Sequence, residues 1–411
     1  MICENDKRIV RELAKRYMAL VTTEKQQRMI RRKRDTNDLK VGVRPPVLLS
    51  EIPWYQMDID GELTCVCESE RERAVEAHFR QALFYFKHFK ADNNYEPFFR
   101  VRRAVSSTGI GIAQKDRDLK RTDDKNNIVS RDYEDVLADE SAIERMHLPT
   151  FSCHPEVDAE NMEFYTALLG DSIPIRLYGF GYLYSGLWDQ ITRLRGVEPI
   201  LWDMYDRPEY LHAIMDKFVA AKHAELDFAE ANLDVDADVA DLHCTPGTIS
   251  PNGESGLRAT WYRGMAQSFG GISPAMFEAF ELDHIKSLAA RFGYTYYGCC
   301  EPLDNKIGIL KKLPNLRKLG CSPWSNVEVC AEQIGKDYVL SRKPNPAHVA
   351  IATDPEVIRR EIEETVKACI KHGCPYDYVL KDISTVSHRP ENLIVWSQTV
   401  SDVLDRYYGA E

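Results

Sequence analysis

YTYYGCCEPLDNKIGILKKLPNLRKLGCSPWSNVEVCAEQIGKDYVLSRKPNPA, residues 294–347, sets the rhythm of the chain. A short aromatic run, Tyr294 to Tyr297, ends in two adjacent thiols and a carboxylate, Cys299, Cys300 and Glu301. LRKLG at 316–320 then runs into Cys321-Ser322-Pro323-Trp324, and YVLS at 338–341 into Arg342-Lys343-Pro344-Asn345-Pro346. Short apolar runs with polar or thiol ends, separated by helix-length segments, read as successive βα units of a parallel sheet or barrel. Side chains just past the carboxyl ends of such strands are where α/β folds build their sites.

The same alternation extends outward. Pro45 and Pro46 exclude helix before the β-like VLL, which places Glu51 and Trp54 at a strand's mouth. Residues 69–90 repeat apolar side chains at helical spacing. Between about 100 and 145 the chain is polar and charged, with SSTGIGIAQKDRDLKRTDDKNN (106–127) at its centre; it has only a lone Gly-x-Gly and reads as an excursion of strands and loops over the mouth. Cys153-His154, in a proline-bounded loop, reads as structural. DVDADVADLH reads as a strand ending at His243, followed by the loop CTPGTISPNGESG. Ser273-Pro274 starts a helix, Gly373 stops another, and YDYVL (376–380) is the last strand, with Lys381-Asp382 at its end.

Composition narrows the function. A formal charge of −11 leaves no sustained basic face for nucleic acid. The one basic cluster, Arg28 to Arg34, reads as the solvated face of a polar helix. No apolar run is long enough to span a bilayer, and eleven cysteines, an odd number in a large chain, fit free thiols in the cytoplasm.

Five stretches carry a resemblance: LWDQITRLRGVEPILWDMYDRPEYLHAIMDKF (187–218), ISPAMFEAFELDHIKSLAARFG (272–293), YYGCCEP (296–302), KPNP (343–346) and HRPENL (388–393). In this order, over about residues 43–408, the chain resembles the uroporphyrinogen decarboxylase superfamily. The likeness is closer to its cobalamin-dependent methyltransferase branch than to the true decarboxylases. It implies a (β/α)8 TIM barrel over 43–411, with residues 1–42 as an N-terminal helical extension that packs on the main body or pairs the chain into a homodimer. True decarboxylases hold substrate carboxylates with an arginine-rich loop after the first strand; here that position reads LLSEIPWYQMD, without arginine.

The methyltransferase branch implies zinc held by a His-x-Cys and a later cysteine before the last helix. Cys300 matches the first cysteine of that pattern. Gly298 stands in the histidine's place, and the later segment KDISTVSHRPEN offers Asp382 and His388 instead of a thiol. One reading therefore gathers Cys300, Cys299, His243 and His388 around zinc, with Glu301, His243 and Asp382 as catalytic groups. The other packs one thiol into the core and leaves the second in a pocket without metal. Adjacent strand residues face opposite ways, so only one of the two thiols would face the site. Glu51, Trp54, Trp324, Lys343 and Asn345 are the expected substrate contacts.

The leading expectation is transfer of a methyl group from a small methoxylated or methylamine-type substrate to a corrinoid supplied by a partner protein. A decarboxylase or lyase of a small carboxylated metabolite, with Lys343, Arg263 or Arg342 on the carboxylate, is the second. A non-catalytic binding barrel is the third.

Overall fold

The computed structural model describes residues 2–119, 130–351 and 353–410, so part of the polar excursion, 120–127, lies outside the described residues. Nine strands organise the body: β1 (Val47–Leu49), β2 (Phe99–Arg102), β3 (Ile175–Tyr178), β4 (Leu183–Ser185), β5 (Trp261–Gly264), β6 (Tyr294–Tyr297), β7 (Leu316–Cys321), β8 (Val339–Arg342) and β9 (Tyr376–Leu380). Seven form one parallel sheet in the order β1-β9-β8-β7-β6-β5-β4, while β2 and β3 pair as a separate parallel ribbon. The first strand thus lies beside the last, and the sheet curls round on itself.

The ladder does not close among the described residues. The outer edge of β1 is met instead by the chain that leads into β2. Asp92 donates its backbone N–H to Val47 O (2.6 Å) and accepts the Val47 N–H on its carboxylate (2.8 Å). The Asn93 amide bonds both Leu49 N (2.9 Å) and Leu49 O (2.8 Å). A covered strand edge must find such partners, because unpaired backbone groups away from water are costly.

Strand alternation explains the layers. Tyr376, Tyr378 and Leu380 of β9 join the large core between sheet and helices, whereas Val379 points inward against Leu48 and Cys244. In the same way Trp261, Tyr294 and Tyr296 form a separate inner cluster, while Tyr262 and Tyr297 belong to the outer core. Strands covered on both faces carry no exposed side, which is why YDYVL is buried throughout.

The interior is polar. Lys318 and Asp377, both fully buried, pair at 2.8 Å; Ser341 bonds the other Asp377 oxygen at 2.6 Å. Lys343 donates to Ser341 Oγ (2.6 Å) and to Cys244 O (2.7 Å). These strand residues grip an antiparallel hairpin, Asp241–Leu242 with Thr245–Pro246, through Thr245 Oγ1, which meets Lys318 Nζ and Ser341 Oγ at 3.0 Å each. His243 therefore sits in a hairpin turn and not at the end of a sheet strand. DVDADVADLH reads as a strand from sequence because nothing local reveals that its hydrogen-bond partners are side chains inside a sheet.

Two helices lead the chain, α1 (Glu4–Val21) and α2 (Glu24–Asn37). The basic cluster on α2 is not simply a solvated face. Lys33 is fully buried against Asp241 (3.1 Å), and Arg32 pairs with Asp92 (2.7 Å). Their partners lie far away in sequence, so local charge pattern could not supply them. Asn37 bonds Pro246 O (3.1 Å) and Thr248 O (2.7 Å), and Trp261 Nε1 bonds Gly247 O (2.9 Å). The end of α2 thus braces the hairpin's base where β5 begins.

Described parts of the polar excursion pack against the helix Leu187–Arg195, with Val136 N bonded to Leu194 O (2.8 Å) and Asp135 paired with Arg195.

Asp377→Asn should lower unfolding free energy by about 3–5 kcal/mol in guanidinium titrations, because Lys318 would be left as a lone buried charge. The double change Lys318→Met with Asp377→Leu should recover most of that loss.

Candidate metal and thiol site at the carboxyl rim

Turns after three strands and the hairpin tip meet at one place. The β1 turn brings Glu51, the β6 turn Cys299 to Glu301, the β9 turn Lys381 and Asp382, and the hairpin His243 and Cys244. The β6 turn needs glycine at 298. Its φ is +108°, and a Cβ there would lie 2.5 Å from Leu303 Cδ1 and 3.2 Å from the Gly320 Cα of β7. Gly298 thus serves close backbone approach.

Backbone strain gathers here as well. Glu51 (φ +56°), Cys244 (+59°) and Asp382 (+56°) hold left-handed conformations that cost a non-glycine residue roughly 1–2 kcal/mol each. Such conformations persist only where the surroundings over-determine them, and they are common at working sites.

One ligand atom each from Glu51, His243 and Cys244 lies within 4.8 Å of the others. Carboxylate, imidazole and thiolate together are the donor types zinc accepts, and small side-chain shifts would close them on an ion whose bonds are about 2.0–2.3 Å. The Cys299 thiol is hydrogen-bonded to Cys244, Cys300 and His243, in that order of effect, and these contacts hold it well below the ordinary thiol range. Cys244 and Cys300 are pushed up, Cys244 chiefly by its bond to Cys299 and Cys300 likewise. Three thiols so linked do not all ionise together, and these contacts favour charge on Cys299 over its two neighbours.

Cys300 extends the site toward solvent. Its Sγ is 3.8 Å from Cys299 Sγ, donates to Asp382 Oδ2 at 2.9 Å and accepts from Lys381 Nζ at 3.0 Å. Asp382 donates its backbone N–H to Glu51 Oε2 at 2.8 Å, which ties the β9 turn to the β1 turn. Burial opposes charge on Lys381, but Cys299, Cys244, Cys300 and Asp382 outweigh it and hold the ammonium above the usual lysine range.

Glu301 faces inward. It is buried, and its two oxygens accept from Ala266 N (3.3 Å) and Cys299 N (3.0 Å). Burial, with the negative charge on Cys299, raises its carboxyl to about 7. It holds the thiol turn in shape rather than lining the open rim.

The remaining expected residues are scattered. Lys343 is buried under Cys244, its ammonium lowered to about 8 by burial. Asn345 caps its own turn, accepting from Ala347 N (3.0 Å). Trp54 packs edge-on against Phe84, and Trp324 is 70% exposed on the loop after β7. His388 stands edge-on to Tyr55 and is not in the donor group with His243. Cys321 points into the outer core beside Arg342, because Gly320 takes the inward position. Cys244 escaped sequence reading, since a cysteine opening a glycine-rich loop looks unremarkable. Its one signal is adjacency to His243. Arg263 was seen only as an alternative carboxylate ligand.

The raised folded value at Glu301 favours the protonated carboxyl in the native state. Its contribution to stability is complete below the unfolded value of about 4.5 and is lost as pH rises through about 7. Denaturation of the wild-type protein across pH 4–8 should show up to roughly 3 kcal/mol of this loss, and Glu301→Gln should flatten the curve.

No protein-family model and no curated protein sequence matches the chain. Among solved structures, a methyltransferase from Methanosarcina mazei superposes with a TM-score of 0.51 at 13% identity, covering 92% of this chain and 99% of that one. At that identity the likeness is one of fold, and it spans nearly the whole of both chains.

Proposed function

We propose that the chain is the methyl-transferring component of a corrinoid system, acting on a small methoxylated or methylamine-type substrate at the rim of an eight-stranded (β/α)8 ring. The observation that carries this reading is the meeting of Glu51, His243 and Cys244 donors beside the Cys299 and Cys300 thiols. The whole-chain likeness in fold to a methyltransferase supports it.

Glu51, His243 and Cys244 would hold zinc, with Cys299 as an exchangeable neighbour; a bound zinc supplies Lewis acidity toward an oxygen or nitrogen lone pair. The chain's own residues do the rest. Lys381, kept cationic by the thiols around it, stabilises negative charge developing on the leaving oxygen or nitrogen. Asp382 and Cys300 form a hydrogen-bonded path from that point to solvent, along which the leaving atom gains its proton. The methyl carbon breaks its bond to that atom and passes to the reduced corrinoid of a partner protein, which docks over the exposed rim. The contacts that hold Glu51, Cys244 and Asp382 in strained conformations keep these groups in place before substrate arrives.

Metal analysis of the purified protein should find about one equivalent of zinc, lost in Cys244→Ser and in His243→Ala and kept in Cys321→Ser. Mixed with a reduced corrinoid protein and a panel of aryl methyl ethers and methylamines, the protein should produce methyl-cobalt absorbance, at least about a hundredfold weaker in Cys244→Ser. Carbon dioxide release without corrinoid would point to the lyase reading instead.

A further inference from the structure

The interior cations differ in one respect. Lys33 has Asp241, Lys318 has Asp377, and Lys343 has Ser341 and a carbonyl. Arg263, on β5, is fully buried, yet its Nη1 and Nη2 have no hydrogen-bond partner. Its Nε makes a long bond of 3.5 Å to His243 O, and no carboxylate pairs with it among the described residues. Burying a guanidinium with both arms empty is costly unless something fills them. A neighbouring ring also carries an unfilled group: Tyr296, fully buried with its ring centroid 5.3 Å from the guanidinium carbon, has a hydroxyl without a hydrogen-bond partner. Tyr184 covers the guanidinium from another side at 5.2 Å.

We propose that Arg263 receives the carboxylate of the methyl donor, so that the substrate is a small carboxylic acid with its methyl group at the other end. Two free Nη groups in one plane match the two oxygens of a carboxylate. The Tyr296 hydroxyl supplies a third donor, and the two tyrosine rings supply flat walls for an aromatic or alkyl body. A phosphate dianion fits less well, for it brings more acceptors than the three donors can meet. Arg263 Nε reaches the carbonyl of His243, so an acid held here would lie directly under the donor group at the rim. The wall that reaches solvent is Tyr184, 37% exposed and edge-to-face with His243 at 5.1 Å, and binding displaces this pair.

The word "donor" rests on the proposed methyl transfer; the carboxylate site does not, so calorimetry without corrinoid protein tests it separately. The probes are para-methoxybenzoate, its neutral isostere para-methoxybenzamide, and inorganic phosphate, each titrated into the purified full chain, with circular dichroism to verify folding. The benzoate should bind at least about tenfold more tightly than the amide or phosphate, as expected for charge-assisted hydrogen bonds. Arg263→Met should lose that preference, Arg263→Lys should keep part of it, and Tyr296→Phe should weaken benzoate binding several-fold even if Arg263→Met fails to fold. Equal binding of benzoate and amide, binding of neither, tighter binding of phosphate, or full benzoate affinity in Tyr296→Phe and a folded Arg263→Met would overturn the proposal. Benzoate binding without any methyl transfer would sink the reaction while leaving this site standing.

Discussion

The buried pair of Lys318 and Asp377 is the constraint on which the rest depends. Two charges inside a sheet are tolerable only with full hydrogen bonding, and here the completing partners are Ser341, Thr245 and the Pro246 carbonyl. The last two belong to an inserted hairpin. The energetic need to satisfy the ion pair therefore fixes where the hairpin lies, and with it the height of His243 and Cys244 in the interior. A core of aliphatic residues would bury as much surface but would not hold a particular polar loop at a particular depth.

The rim is built by opposing preferences. Glu51, Cys244 and Asp382 take backbone conformations that L-residues avoid, and Gly298 takes one that only glycine can in that space. The turns are held by partners from other segments: Asp382 N by the Glu51 carboxylate, Cys244 O by Lys343, and Gly298 N by the Gly264 carbonyl at the end of β5. No single turn would adopt this geometry alone. Together they bring donors of Glu51, His243 and Cys244 within 4.8 Å of one another, with the Cys299 thiol beside them and Cys300 beside Cys299.

This division shows what was legible in the sequence. Helix ends were readable because their signals are local: Ser273 caps its helix by accepting from Met276 N, and Gly373 ends another with φ +64°. The strands β6 to β9 were readable from their spacing, and their carboxyl ends did place Cys299, Cys300, Lys381 and Asp382 together. The hairpin was not, because Asp241, Thr245 and Pro246 are bonded by residues from α2, β7, β8 and β9. Lys33 looked like surface charge for the same reason. Trp324 and Asn345 follow strands as the general rule expects, yet their side chains turn to solvent and to a local cap, since strand ends specify position and not direction.

Charge gives these observations a common direction. The chain as a whole carries −11, but around the hairpin buried cations outnumber the carboxylates that pair with them. Of Lys33, Lys318, Lys343 and Arg263, only the first two have carboxylate partners inside, and Lys381 sits just above them at the thiols. At low internal dielectric such an excess acts over several ångströms and favours whatever negative charge the site can accept. Ionisation of the Cys299 thiol, which its contacts favour, supplies one such charge. Arg263, with both arms open, faces the position for another. An acidic exterior around a cationic well would disfavour anions at the surface and reward only those that reach the rim, so selectivity for a charged substrate would be set by depth and not by surface attraction.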